Sequence, residues 1–425
     1  MKVFTPRNIF AECCDCTPKQ WIGLCNTFML LLITIMCGLV IYETYDIDQR
    51  FISILDSSAL AIDLTNTGAA ESETTPYWRN VTENVAVYSA FYDSANIQDS
   101  FLVIIGRITK NWTSSEDLRC LIKYPDDEIR LVNISMVRRS SCNSAVLYCS
   151  TIKEIKPEKV AVISLADAVP KQWLEVEVYD SSRRMDSGEV DVAACVCPHQ
   201  NSLKVEDVAD FVAYYEVIGV KTFYFYVHSP PSEVSNFLRR LKSNGHEIHI
   251  QSWAAESGVC PDQVIISEYV QDCIHRSVEK HSEIVLVNIK DFIFPKQYLL
   301  IDVLTDIRQT TTNSSIIALK HKIFCDDYSN DAYEPSAMYS TTVNTEIMSP
   351  DMNYIIKPYP VSEITANKIS EDEFSKEFIL SEEEALVHRY ESNCSSTTTF
   401  DKDGNKYLPF FKKSPVFAEL RKNML

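Results

Sequence analysis

The 425-residue sequence predicts an α/β fold: a Rossmann-type mixed sheet joined to an N-terminal β-rich module, with a single transmembrane helix ahead of both. Three observations predict it. Strand-like and helix-like segments alternate between residues 191 and 300, the pattern that builds a parallel sheet with right-handed crossovers. Residues 77–190 carry short apolar or alternating runs and few segments of helical period. Trp21 to Tyr42 holds no charged residue.

That uncharged run comes first. At about 1.5 Å per residue it spans about 33 Å, the thickness of a bilayer core. It exceeds a signal-peptide apolar region, and no small-residue cleavage site follows it. Lys2, Arg7 and Lys19 precede it; Glu43, Asp46 and Asp48 follow. The excess of positive charge on the N-terminal side puts that end in the cytosol and the body in the lumen, a type II single-pass arrangement. Residues 43–75 then read as a flexible stem, rich in Ser, Thr, Ala and acids after Ala61.

Two features agree with a lumenal body. Asn80, Asn111, Asn133, Asn313 and Asn393 each open a glycosylation sequon. Of 14 Cys, five lie before or within the span, which leaves nine where disulfides are permitted. The odd number leaves one thiol or permits a covalent homodimer. Cys13-Cys14-x-Cys16 has zinc-ligand spacing but no matching His or Cys set nearby. Juxtamembrane acylation is the other use of such cysteines.

In the β-rich module, Val85-Ala-Val-Tyr-Ser-Ala-Phe-Tyr92 and Trp173-Leu-Glu-Val-Glu-Val-Tyr179 alternate, and Phe101-Leu-Val-Ile-Ile105 reads as a buried strand. The α/β half opens on Ala193-Ala-Cys-Val-Cys197. Apolar residues at 205, 208, 211, 212 and 215 predict a helix. Lys221 to Val227 is a strand, Ser232 is placed to cap the next helix, and Gly245 to end it. Glu247 to Gln251 is a strand, Asp262 to Lys280 a helix, and Ile284-Val-Leu-Val287 the fourth strand. Further on, Ile316 to Phe324 reads as one strand, Asp326 to Met352 as loop, and Ser381 as the cap of a Glu-rich helix leading to His388. There are no internal repeats.

Several function classes are excluded. The net charge of −19 opposes nucleic-acid binding, which needs clustered Lys and Arg. No G-x-G-x-x-G follows the first strand of the α/β half, no G-x-x-x-x-G-K-[ST] occurs, and no G-x-S-x-G elbow is present. With nine Gly in the chain, phosphate-cradling loops are scarce, so an anion must be held by side chains, a metal or helix N-termini.

The order of several short motifs resembles glycosyltransferase family 92, over about residues 84–400. They are Val87-Tyr-Ser-Ala-Phe-Tyr-Asp93, Cys195-Val-Cys-Pro198, Phe211-Val-Ala-Tyr-Tyr-Glu-Val-Ile-Gly219 with Phe223-Tyr-Phe-Tyr226, Val270-Gln-Asp-Cys-Ile-His-Arg276, Ile355-Ile-Lys-Pro358 and His388-Arg-Tyr390. The resemblance implies a GT-A-like fold and a type II Golgi membrane enzyme. It implies transfer of a hexose, galactose in that family, from a UDP-sugar to a glycan acceptor. The organisation then reads 1–20 cytosolic tail, 21–42 anchor, 43–75 stem, 76–190 β-rich module and 191–425 transferase domain.

The family pattern after the fourth strand is Asp-x-Asp-Glu, an apolar residue and Pro, where carboxylates hold a divalent cation, Mn2+, against the donor diphosphate. Here Asn288 stands for the first Asp, Lys290 for the second and Asp291 for the Glu. An Asn is a weak ligand for a hard cation and a Lys repels it. Either Lys290 replaces the metal, or the chain is a catalytically inactive homologue that binds glycans or partners an active transferase. The resemblance also offers Asp272 and Arg276 as donor contacts, and His388 with Arg389 as a diphosphate contact. The bland alternatives are a helix ion pair for Asp272 and Arg276, four apart, and a charge-compensated helix end for His388. Asp291 is either a residual metal ligand or a turn acid. The catalytic base stays open among Asp326, Asp327 and Asp331.

Overall fold

In the computed structural model the described residues are 77–94, 101–109, 118–139, 143–151, 155–164, 170, 172–180, 190–197, 203–227, 230–253, 268–297, 299–310, 316–325, 342–343, 353–358, 364–365, 368–369, 377–391 and 413–423. The predicted tail, anchor and stem lie outside them, as do Asn111, Asn313, Asn393, Asp326, Asp327 and Asp331. Among the described residues no helix is long and apolar enough to cross a membrane. Thr74–Leu425 forms one compact unit.

Its first sheet contains β1 (Arg79–Asn80), β2 (Val85–Asp93), β3 (Phe101–Ile108), β4 (Leu118–Lys123), β5 (Ile129–Arg139), β6 (Ser144–Ser150), β7 (Lys159–Ser164) and β8 (Leu174–Tyr179). The order is β1-β2-β3-β6-β5-β4-β7-β8, and a parallel β2–β8 pairing closes the sheet on itself. Val87, Ala90, Leu102, Ile104, Leu121's neighbours Cys120 and Ile122, and Leu147 fill its interior. A disulfide joins Cys120 to Cys149 across this core. The exposed Asn80 and Asn133 lie on β1 and β5, accessible to a modifying enzyme.

The expected alternation of β2 is not observed; it is buried along nearly its whole length. One face lines the closed sheet and the other meets the α/β half. A register shift between Val87 and Ser89 marks a bulge, which re-aims a side chain at the cost of one unpaired position. Tyr88, fully buried, reaches the second sheet there, packing on Trp253 with ring centroids 4.6 Å apart.

The α/β half follows the predicted order: β9 (Val192–Val196), α1 (Val205–Val217), β10 (Thr222–Val227), α2 (Ser232–Ser243), β11 (Glu247–Ser252), α3 (Glu268–Ser277) and β12 (Glu283–Val287). The predicted start of α3 at Asp262 lies outside the described residues. Both α1 and α2 end in a glycine with positive φ, Gly219 at 104° and Gly245 at 96°. Each closes a Schellman pattern: Val220 N donates to Tyr215 O at 2.9 Å, and His246 N to Leu241 O at 3.1 Å. Ser232 does not cap α2. It is the first helical residue, and Pro231 occupies the cap position without a side-chain bond.

Beyond β12 come β13 (Asp291–Pro295), α4 (Leu300–Thr310), β14 (Ile316–Leu319), β15 (His321–Cys325), β16 (Thr342–Val343), β17 (Asn353–Ile356), a hairpin of β18 (Ile364–Thr365) and β19 (Lys368–Ile369), β20 (Glu377–Ile379), β21 (Ala385–Glu391) and α5 (Pro415–Asn423). The second sheet runs β11-β10-β9-β12-β17-β14-β20, and its first four strands are parallel. β17 pairs antiparallel to β12, so the sheet is mixed. A third sheet runs β13-β21-β15-β16.

Two readings of this C-terminal part are corrected. Ile316 to Phe324 is not one strand: the chain leaves the second sheet after Leu319, and His321–Cys325 joins the third. The Glu-rich segment is a turn, not a helix. Ser381 Oγ donates to Glu384 Oε2 at 2.8 Å, as in a capping box, but Ala385–Glu391 then pairs with β13 and β15. Pairing on both sides satisfies its backbone groups, and so overrides the local helix-start signal.

Buried residues alternate between the two faces of the central strands. Val192, Ala194, Val196, Phe223, Phe225, Val285 and Val287 join α1, α2, α4 and α5 in one core. Ala193, Cys195, Tyr224, Tyr226, Ile284 and Leu286 face α3 in another. Strands covered on both faces read as continuous apolar runs, which is why they are visible in the sequence.

Candidate active site

β9 leads through α1 and β10 to β11 on one side, whereas β12 returns to the other side of β9. The strand order therefore reverses between β9 and β12. In open α/β sheets, ligands bind outside the carboxyl ends of the strands at such a reversal. Cys197 follows β9 there, and Asn288-Ile289-Lys290-Asp291 follows β12.

Asp291 is the centre of this cluster. It is fully buried, at the first position of β13, and its register partner on β21 is Arg389. Arg389 donates from Nε to Asp291 Oδ1 at 2.8 Å and from Nη2 to Oδ2 at 3.1 Å. Oδ2 also accepts the Nδ2 of Asn353 at 2.9 Å and of Asn288 at 3.0 Å. The turn is closed by Asp291 N donating to Asn288 O at 3.0 Å, and the Tyr215 hydroxyl from α1 donates to Asp291 O at 2.8 Å. Asn353, on β17, also donates Nδ2 to Leu286 O at 3.3 Å, and its buried Oδ1 has no hydrogen-bond partner among the described residues.

Lys290 is half-buried, and its main-chain oxygen accepts Tyr390 N at 3.1 Å. Its charge acts on Asp207 in the first turn of α1. Burial raises the Asp207 carboxyl above its ordinary range, and Lys290 and Lys204 draw it back. The Cys197 thiol is pushed up to about 12 by burial, so it is a protonated thiol near neutral pH and a poor nucleophile.

These residues do not fit a divalent cation. Asp291, the carboxylate of the segment, already accepts a guanidinium fork and two carboxamide N–H groups. Asn288 presents its N–H side to Asp291. Lys290 brings a positive charge where a hard cation would need an oxygen. Among the described residues no group of three or more His, Cys, Asp or Glu is arranged to hold a metal.

The other predicted contacts lie in different surroundings. Asp272 and Arg276 form the helix ion pair, with Arg276 Nε donating to Asp272 Oδ2 at 2.7 Å and Nη2 to Oδ1 at 3.0 Å. Asp272 is fully buried and also accepts the hydroxyls of Ser89 at 2.5 Å and Tyr226 at 2.7 Å. Arg276 continues to Glu177 on β8 and lies over the Phe91 ring. This network ties α3 to the first sheet. His388 is buried between Phe294 and Phe324, with ring centroids at 4.0 and 4.2 Å. Successive strand residues face opposite sides, so Arg389 meets Asp291 while His388 enters the packing of the third sheet.

Asn353 carries no signal in the sequence; a tertiary pairing alone brings it to Asp291. Arg389 is signalled by its neighbour His388, but reading that segment as a helix end hides the alternation that separates the two.

Next to the Asp272 network, His275 is buried beside Phe91 and the Tyr179 hydroxyl, and burial lowers its pKa to about 4. Asp272 and Asp93 pull it weakly the other way. With an unfolded value of about 6.5, the unfolded chain binds the extra proton between the two values. The stability that the neutral His275 contributes is therefore fully present above about pH 6.5 and is lost as pH drops toward 4. Melting curves should show that fall, and His275→Phe should flatten it; an unchanged slope in the variant would contradict the assignment.

A model of glycosyltransferase family 92 matches residues 190–423. A search of curated proteins found no match. Solved structures give distant likenesses. HddC from Yersinia pseudotuberculosis is 10% identical with a TM-score of 0.26, over 52% of this chain and 99% of that one. A 4-diphosphocytidyl-2C-methyl-D-erythritol synthase is 8% identical with a TM-score of 0.25, over 52% and 98%. The WbbM bifunctional glycosyltransferase is 10% identical with a TM-score of 0.21, over 35% and 27%. At these TM-scores the likenesses carry no argument.

Proposed function

From the premise that this chain belongs to glycosyltransferase family 92, we propose that it is a type II Golgi membrane enzyme that transfers a hexose, galactose, from a UDP-sugar to a glycan acceptor. Its α/β half is read as GT-A-like, and residues 21–42 as the anchor. The observation that carries the proposal is the placement of the Asn288 to Asp291 segment. It follows the carboxyl end of β12, at the strand-order reversal where an α/β sheet takes its ligand.

The leaving group of such a transfer is a nucleoside diphosphate, whose growing negative charge needs a fixed positive partner. The residues at this position do not fit Mn2+, so no step is assigned to a metal. Lys290 supplies a cation in its place. Asp272, Arg276 and His388 are assigned to packing in this reading, and the donor is held by Asn288 and Lys290 around the buried Asp291. Replacing Lys290 by Ala should lower transfer at least tenfold, measured as UDP release; parent-like release would remove Lys290 from the site.

A second reading, a silent homologue that binds glycans or partners an active transferase, is favoured by one observation: Asp291 is wholly committed to protein partners. Turnover separates the two. UDP release from UDP-galactose that depends on a fucosylated N-glycan acceptor identifies a transferase. A folded, glycosylated protein that releases none across donors and acceptors is the silent homologue. A covalent homodimer through a body thiol belongs to either reading, and non-reducing electrophoresis tests it.

A further inference from the structure

Negative charge from three helices converges on His246. Its Nδ1 stands 2.5 Å from Glu216 Oε1, in the last turn of α1. That turn holds no basic residue, so Glu216 adds its charge to a helix end that is already negative. His246 follows Gly245, and its N–H closes the last turn of α2, which places it at a second negative helix end. The third contribution is Glu419 of α5. This buried carboxylate accepts Asn244 Nδ2 on Oε2 at 3.0 Å and lies with Oε1 3.1 Å from Arg240 Nε. Val416, Phe417 and Leu420 set the same helix into the main core. Among the described residues, Glu216 and Glu419 are the charges that act on His246. Lys242 in α2 and Glu247 in β11 flank it and are exposed.

We propose that His246 is a proton-operated clasp: as an imidazolium it holds the C-terminal helix α5 to the ends of α1 and α2, and as a neutral imidazole it gives up that hold. An imidazolium answers both carboxylates and both helix ends at once. A neutral ring keeps one hydrogen bond to Glu216 and leaves the rest of the negative charge to Arg240. The hydrogen bond from Glu216 raises the His246 pKa above its ordinary value, burial opposes this, and the charges of Glu216 and Glu419 add to the rise. The clasp is therefore fully closed below about pH 6.5, the unfolded value, and opens as pH rises through the higher folded value. That window lies above the one set by His275, so the two effects separate. α1 also carries Tyr215, which holds Asp291 O, so the clasp and the candidate site share a helix. The clasp is the same whether the chain turns over or is silent.

The test is hydrogen–deuterium exchange of the full chain in detergent from about pH 6.5 to 9, read by mass spectrometry and corrected for the intrinsic pH dependence of exchange. Peptides within 413–423 report on α5, and peptides within Val85–Asp93 are the reference. Protection of α5 should fall about fivefold as pH rises, the scale of a partly buried histidinium at a helix C-terminus, while the reference stays flat. His246→Gln should show the lower protection throughout, without a pH slope. His246→Lys, which keeps a cation, should retain protection at the alkaline end. Glu216→Gln removes the main cause of the raised pKa, so its fall should begin at lower pH. Thermal melts identify any variant that fails to fold, and the parent profile with Glu216→Gln then carries the comparison. A flat α5 profile in the parent, a fall that the reference peptides copy, or a parent-like slope in His246→Gln or Glu216→Gln overturns the clasp.

Discussion

Replacing Asp272 by Ala should destabilise the folded body by about 3–5 kcal/mol, the cost of leaving a buried partner charge uncompensated. Arg276 would keep its buried guanidinium and lose two of its bonds, with Glu177 as its remaining carboxylate. The hydroxyls of Ser89 and Tyr226 would lose their acceptor at the same time. Because Ser89 lies on β2 and Glu177 on β8, the loss falls on the seam between the closed sheet and α3. Denaturant unfolding measures it. Asp272→Asn should lose less, since a carboxamide oxygen can still accept a hydroxyl. A change below about 1 kcal/mol in Asp272→Ala, within the range of an exposed pair, would refute the account of this network.

Removing the Cys195–Cys273 disulfide should cost about 2–5 kcal/mol, through the freedom returned to the unfolded chain. The bond joins β9 to α3 over a separation of 78 residues. β9 is the strand from which the order reverses, so the same change loosens the edge that carries Cys197 and faces Asn288. The double variant Cys195→Ala, Cys273→Ala should therefore unfold at lower denaturant and bind UDP more weakly. Parent-like unfolding would show that packing of the Tyr226, Val270 and Ile274 core alone holds the two elements together.

How much of this was legible in the sequence depends on where the deciding contact lies. α1, β10, α2, β11 and β12 are written locally, in apolar spacing and in the glycines that end the helices. Their strands are covered on both faces, so composition alone marks them. The break at Lys320 is not legible, because it is set by which sheet each half joins. The turn at Ser381 shows the reverse case, a sound local capping signal overruled by strand pairing. β2 looks like a one-faced strand until the α/β half covers its outer side. At the site, the Asn288 to Asp291 segment is legible because chain order puts it at a strand end. The Asp291–Arg389 pair is not, because its members lie 98 residues apart and meet only through the register of β13 and β21. The same register sends His388 into the aromatic packing of Phe294 and Phe324.

The central claim is that protein cations stand where a metal would otherwise serve. The most direct measurement is acceptor-dependent UDP release from UDP-galactose by the full chain, with manganese and then with excess EDTA. The account predicts that release persists in EDTA and falls at least tenfold in Lys290→Ala. Release that EDTA abolishes and manganese restores would contradict it.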